Sequence, residues 1–294
     1  MAHVGYLTSF AIWRSRTGLL VRITPTCPIG IIDYGARLAA AFPRTKFALI
    51  DQESPGYRLV DGELESQSEY SYTYGVGGRV LVEAALEAAL ENWRLCVEIK
   101  DSLDESIALD FHTLPIESGE ETSFPRTEIG QLLYEAKYSG STSSLQKLGD
   151  LVLATFEVHP RLASIARVAF PPPTDGRNKI HVAQSIATRV AETIGKALVM
   201  VERIRAVQAQ KAMPNDLRQR RANVLGSLRV TEDLTFEDVV VFDDVYMSGE
   251  TLAELGRACS AAGAFEVLGF SITKTPTFSQ SADYGARTLK MRGI

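Results

Sequence analysis

The stretch Val239-Val-Val-Phe-Asp-Asp-Val-Tyr-Met-Ser-Gly-Glu-Thr-Leu252 decides the fold of this 294-residue chain. Its first four residues are apolar, and the run of valines suits a parallel strand covered on both faces. Asp243 and Asp244 stand where such a strand leaves the sheet, the usual ligand position in open α/β folds. Ser248, Gly249 and Thr251 then open a helix, whose free N–H groups and positive dipole end favour a phosphate. Carboxylates beside a phosphate cradle make chemical sense when one ligand carries both hydroxyls and a phosphate. A ribose 5-phosphate meets both requirements. The competing reading is an ordinary βα turn with acidic N-cap residues, which leaves the order of the whole run unexplained.

Composition narrows the class only slightly. The length suits one large or two ordinary domains, and a hydrophobic fraction of 45% is enough for a sizeable core. A net charge of −5 argues against a broadly basic nucleic-acid surface. Apolar runs fall short of the roughly 20 residues that cross a bilayer, and Met1 to Arg16 lacks a signal-peptide core. Cys27, Cys96 and Cys259 are too scattered for a disulfide framework or a cysteine zinc site. A cytoplasmic protein without membrane attachment is the expectation.

From Thr127 onward, strand and helix patterns alternate. Thr127 is a candidate cap for a helix over Ile129–Lys137, and Leu145 to Phe156 repeats its spacing. Ile165 to Phe170 reads as a strand ended by Pro171-Pro-Pro. Val182 to Leu198 is amphipathic, and Leu198 to Val201 reads as a strand. Glu254 to Ala262 completes the helix after the acidic pair, Gly263 follows as its C′ residue, and Val267 to Ile272 reads as a last strand. This alternation predicts a doubly wound, mainly parallel sheet with right-handed crossovers over 125–294. Residues 1–124 are expected to form an additional N-terminal mixed α/β region. Asp101 to Arg126, which contains Glu117-Ser-Gly-Glu-Glu-Thr-Ser-Phe-Pro125, reads as a linker.

In the first half, Leu19 to Thr24 and Lys46 to Ile50 suit strands, and Val80 to Trp93 suits a helix. Gly75-Val-Gly-Gly78 lacks the endings of a phosphate loop and reads as a turn before that helix. His112 has no second histidine near enough in sequence to suggest a metal site and reads as structural.

Val239 to Thr251 resembles the phosphoribosyl pyrophosphate (PRPP) motif of type I phosphoribosyltransferases, with one departure at Met247, where a small or acidic residue is usual. The resemblance implies that Asp243 and Asp244 hold the ribose 2′- and 3′-hydroxyls. It also implies that the loop Val245, Tyr246, Met247, Ser248, Gly249, Glu250 and Thr251 wraps the 5′-phosphate. Thr127 to Lys274 is similar, more narrowly, to the ComF-type competence branch. Leu133-Tyr-Glu-Ala-Lys-Tyr-Ser-Gly140 resembles that branch's Leu-Lys-Tyr-x-Gly helix end. Arg220-Arg-Ala-Asn-Val-Leu-Gly-Ser-Leu228 resembles its Arg-x-x-Asn-x-x-Gly-Ala-Phe signature, and Val168-Ala-Phe-Pro-Pro-Pro173 its Val-Pro-x-Pro strand. Pro172, Pro173 and Thr174 then occupy the pyrophosphate-loop position. The branch's Arg-Gly-Phe-Asn-Gln has only a loose echo, Asp175 to Gln184, and its cysteine-rich zinc ribbon is replaced by other sequence.

The resemblance implies phosphoribosyl transfer from PRPP, with Mg2+ held through PRPP and no metal ligand from the chain. Arg203, Arg205, Lys211, Arg218, Arg220 and Arg221 lie where such enzymes carry a mobile loop. Arg218 and Arg221 are the candidate catalytic lid residues, the alternative being a solvated basic helix over Asp216 to Arg221. A thioether takes no proton near neutral pH, so Met247 disfavours base catalysis of the purine-salvage kind. Partners implied are PRPP or a ribonucleotide, with a homodimer, a nucleic acid or a protein partner left open. The acceptor-binding hood is expected within Thr127 to Pro160. The alternative function is a non-catalytic PRPP or nucleotide sensor, or an effector module linked to nucleic-acid uptake, modification or phage defence.

Overall fold

The computed structural model describes residues 3–5, 7–16, 18–25, 34–42, 44–54, 56–60, 63–67, 70–78, 83–113, 116–118, 121–123, 125–173, 181–208 and 216–276. The chain divides into two compact units, His3–Lys100 with Phe156–Ala163, and Asp101–Thr155 with Ser164–Ile294. Along the chain, the second unit takes over from the first at Asp101.

The first unit holds β1 (His3–Gly5), β2 (Leu7–Ser15), β3 (Gly18–Pro25), α1 (Tyr34–Ala41) and β4 (Thr45–Glu53). It continues with β5 (Gly56–Val60), β6 (Glu63–Gln67), β7 (Ser71–Gly78), α2 (Glu83–Leu95) and β8 (Val97–Lys100). Its main sheet is antiparallel in the order β2-β3-β7-β4. Alternation along β3 turns Val21 and Ile23 inward onto Tyr34, Leu38, Leu86 and Leu90. Gly75 to Gly78 belongs to β7, with Gly75 and Val76 paired by both β3 and β4 and Gly77 and Gly78 by β4. The turn expected there is a strand, because absent side chains do not prevent backbone pairing.

The second unit opens with β9 (Glu105–Phe111), the ribbon β10 (Ile116–Ser118) and β11 (Glu121–Ser123), and α3 (Glu128–Tyr134). A π-helical turn (Glu135–Ser139) and α4 (Thr142–Val158) follow; the end of α4 from Phe156 and α5 (Pro160–Ser164) as far as Ala163 group with the first unit, and β12 (Arg167–Ala169) and α6 (Val182–Thr193) come next in the second. Then come β13 (Ala197–Leu198), β14 (Val201–Arg203), α7 (Leu217–Val224), β15 (Leu228–Val230), β16 (Asp238–Tyr246), α8 (Glu250–Ala261) and β17 (Glu266–Lys274). The strand order β9-β17-β16-β12-β13 is parallel at every pairing, with β14 and β15 forming a separate antiparallel pair. The fold is thus mixed α/β with a mainly parallel central sheet.

β16 lies between β12 and β17, and Val239, Val240, Val241 and Phe242 are fully buried. Phe242 packs against Phe270 of β17 in a tilted pair, 4.8 Å between ring centroids. At about 25 cal/mol per Å² such aromatic and branched burial supplies the main stabilisation of the centre. Gly263 takes φ +98° just past α8, as its C′ position requires.

The linker reading of Asp101 to Arg126 is corrected: within it, β9 is buried along its whole length and pairs in parallel with β17. Its sequence hides this because Glu105, Ser106 and Asp110 are buried polar residues, so apolar periodicity is diluted. The strand expected at Leu198 to Val201 is divided into β13 and β14, which pair with different partners.

Candidate functional site

β16 continues past the acidic pair to Tyr246, since β17 pairs with it as far as Lys274. Asp243 and Asp244 therefore lie inside the strand's last turn of pleat rather than beyond it. Asp243 Oδ1 accepts the Asp244 N–H at 2.8 Å. Burial, and then the neighbouring Asp244 carboxylate, raises Asp243 to about 7, against the pull of that N–H and of Lys137.

Asp244 Oδ2 accepts a hydrogen bond from Lys137 Nζ and forms an ion pair with it. Lys137 stands on the π-helical turn after α3. Burial opposes its charge, yet Asp244 holds it above the ordinary lysine value. Thr127 seats this segment on the sheet: its Oγ1 accepts the Gly130 N–H at 2.9 Å and donates to the Phe111 carbonyl at 2.6 Å. Gly130 is required, because a Cβ there would collide with the His112 backbone carbonyl. His112 Nδ1 lies 3.2 Å from Thr273 Oγ1, and burial followed by Arg126 and Lys137 lowers its pKa.

Tyr246 supports the loop that follows. Its hydroxyl donates to Asp101 Oδ2 at 3.0 Å, and Lys274 Nζ lies 5.4 Å from the ring centroid. Burial and Asp101 push the phenol up, and burial lowers Lys274 to about 8. Gly249, at φ 79° and ψ −2°, is the N-cap of α8 and makes no side-chain cap bond. A Cβ at Gly249 would sit 2.5 Å from Tyr246 Cζ. The left-handed backbone and the ring beneath it thus both demand glycine. Val245, Ser248, Gly249, Glu250 and Thr251 are partly accessible and Met247 is exposed, so the loop presents an open helix N-terminus beside the acidic pair.

Arg221 acts electrostatically on Glu250, whose pKa is raised by burial and lowered by that arginine. α7 therefore places one candidate lid residue at the first turn of α8. Arg218 is exposed, its N–H bound to Asp216 Oδ1 at 2.8 Å, in the N-cap of α7. Arg220 is buried and its guanidinium contacts Met247 Sδ. Pro172 offers its carbonyl to Arg203 Nη2 at 2.7 Å, while Pro173 is exposed. Arg203 Nε is buried without a hydrogen-bond partner among the described residues, and burial lowers its pKa. A cavity of about 40 Å³ runs between Arg203, Ser227, Thr251 and Glu254. Thr174 and Lys211 lie outside the described residues, as does most of the Asp175 to Gln184 echo.

Sequence reasoning missed Lys137 as a site residue, Tyr246's support by Asp101, and the contacts of two arginines it had named in the basic run, Arg203 with Pro172 and the buried Arg220 with Met247. Lys137 carried a signal, a lone cation in a helix end quoted for its likeness to other chains. Asp101 carried none, since it lies at no motif spacing.

The described residues contain no group of three or more His, Cys, Asp or Glu placed to hold a metal ion. Asp244 is engaged by an ammonium and Asp243 by an N–H. No helix among the described residues is long and apolar enough to cross a membrane.

No protein-family profile matches the chain. Neither does any curated protein. Solved structures do, among them several phosphoribosyltransferases. Orotate phosphoribosyltransferase from Aeropyrum pernix is 18% identical, with 62% of this chain and 91% of that chain covered and a TM-score of 0.33. Adenine phosphoribosyltransferase from Leishmania tarentolae is 11% identical, covering 57% and 91%, also with a TM-score of 0.33. A purine phosphoribosyltransferase from Pyrococcus horikoshii Ot3 is 14% identical, covering 45% and 82%, with a TM-score of 0.29. Likenesses this distant leave the functional reading to the residues themselves.

Proposed function

We propose that this chain binds PRPP, with magnesium carried on the pyrophosphate, and transfers or hydrolyses its phosphoribosyl group. The observation that carries the reading is one junction: an acidic pair lies near the end of a central parallel strand, and the loop after that strand brings a left-handed glycine to a helix N-terminus without a side-chain cap. Carboxylates accept hydrogen bonds from hydroxyls, and helix N–H groups donate to phosphate. Both are offered within one stretch of chain, Asp243 to Thr251.

In the reaction, the bond from the anomeric carbon to pyrophosphate breaks with its electron pair leaving on oxygen. A new bond forms from the acceptor nucleophile or water. Asp243 and Asp244 fix the ribose, and Ser248 to Thr251 fix the 5′-phosphate. Arg203, Arg218 and Arg221 supply positive charge toward the Pro172–Pro173 end, where the leaving group gains charge. The acceptor side falls to the hood over Thr127 to Pro160. The helix end Leu133 to Gly140, the proline strand Val168 to Pro173 and the run Arg220 to Leu228 support a ComF-type reading within type I chains.

A second reading, a PRPP or nucleotide sensor without turnover, is favoured by Met247. Its sulfur lies against the Arg220 guanidinium, so no proton acceptor stands there. Pyrophosphate release on incubation with PRPP and magnesium, with and without candidate bases, separates the two. Release supports transfer or hydrolysis, and tight binding without release supports the sensor.

A further inference from the structure

The lysine that meets the acidic pair is held in place from several directions. The turn that bears it is π-helical, a geometry frequent at functional sites. Gly140, at φ 66°, closes the turn by donating its N–H to the Glu135 carbonyl. The Glu135 side chain accepts from Ser144 Oγ at 2.6 Å and from Gln131 Nε2 at 3.0 Å. With Thr127 fixed to Phe111, the backbone beneath Lys137 is thus tied on both sides. Both Asp244 and Asp243 act on its ammonium, Asp244 more strongly, and Tyr138 is the other side chain that favours its charge.

Adjacent carboxylates without a neutralising partner attract divalent cations, which oxygen ligands bind readily. Here one of them is already paired, through a single oxygen of Asp244. A carboxylate has about four acceptor sites, so Asp244 retains capacity for ribose hydroxyls while the ammonium stays bound. We propose that Lys137 is a positioning residue that takes the place of a divalent cation at Asp243 and Asp244, making the pair selective for a neutral diol. Ribose binding then requires no metal ion, and magnesium enters only with a pyrophosphate. This rests on the ribose reading of the acidic pair given above.

The test uses the full chain, its Lys137→Met, Lys137→Arg and Asp244→Asn variants, and two probes, Mn2+ and ribose 5-phosphate. The parent and Lys137→Arg bind ribose 5-phosphate equally, within about twofold, in chelator and in excess Mg2+. Without sugar, neither takes up Mn2+ at the acidic pair. Lys137→Met gains a Mn2+ site of about millimolar affinity, which a second change, Asp244→Asn, removes. Its ribose 5-phosphate affinity becomes magnesium-dependent by about tenfold. A parent that already binds Mn2+ in an Asp244-dependent way overturns the proposal, and this holds even where Lys137→Met does not fold. So does a folded Lys137→Met that gains neither property. Failure of the parent to bind ribose 5-phosphate under either condition instead overturns the ribose reading, and the proposal falls with it.

Discussion

Gly249→Ala is the sharpest probe of the loop that follows the acidic pair. Gly249 holds φ 79°, and an L-residue in that region costs about 1–2 kcal/mol. The new Cβ would also lie 2.5 Å from Tyr246 Cζ, so the ring must move. Tyr246 is buried, and its hydroxyl bonds the Asp101 carboxylate at 3.0 Å. Losing a hydrogen bond to a charged group costs about 1.5–3 kcal/mol. The two effects together predict a loss of about 2.5–5 kcal/mol, measured by chemical unfolding of the full chain, and a loss of ribose 5-phosphate binding. A double-mutant cycle divides the contributions. In a Tyr246→Ala background the ring is gone, and Gly249→Ala should cost only the backbone share of about 1–2 kcal/mol. A cost below about 1 kcal/mol in the parent, or one that Tyr246→Ala leaves unchanged, refutes the claim that Tyr246 shapes the loop.

Other expectations concern charge. Burial and Asp244 raise Asp243 from 3.8 to about 7, so the folded chain keeps a proton that the unfolded chain has lost. Stability contributed by this group therefore falls as pH rises from about 4 to 7, the reverse of a salt-bridged carboxylate. Asp243→Asn should flatten that slope in unfolding measurements, and a slope that persists unchanged contradicts the assignment. Arg218→Ala and Arg221→Ala should slow pyrophosphate release more than they weaken PRPP binding, because leaving-group charge is greatest in the transition state. Equal losses in both would favour a simple binding role. Arg221 should show the larger effect, since it already acts on Glu250 at the first turn of α8.

How much of this was legible in the sequence follows from where the physics is local. The run Val239 to Leu252 announces its strand, its turn and its helix because apolar content, acid placement and the glycine are all near neighbours. The same holds for α3, whose cap Thr127 precedes its apolar face. β9 was hidden because its buried positions include Glu105, Ser106 and Asp110, whose partners are distant in sequence. The site's supports were hidden for the same reason. Lys137 and Asp244 are 107 residues apart, and Asp101 and Tyr246 are 145 apart. Only the fold brings them together. Arg220 stood in a visible basic run, yet its burial against Met247 could not be read from charge spacing.

The central claim is that Asp243 and Asp244 hold a ribose beside the phosphate site of α8. The direct measurement is calorimetric titration of ribose 5-phosphate and of PRPP with magnesium into the parent, Asp244→Asn, and the Asp243→Asn/Asp244→Asn double variant, each confirmed folded. Charge-assisted bonds of about 1.5–3 kcal/mol each predict at least about a tenfold loss for Asp244→Asn, with a deeper loss in the double variant. Parent-like affinity in the folded double variant would contradict the account.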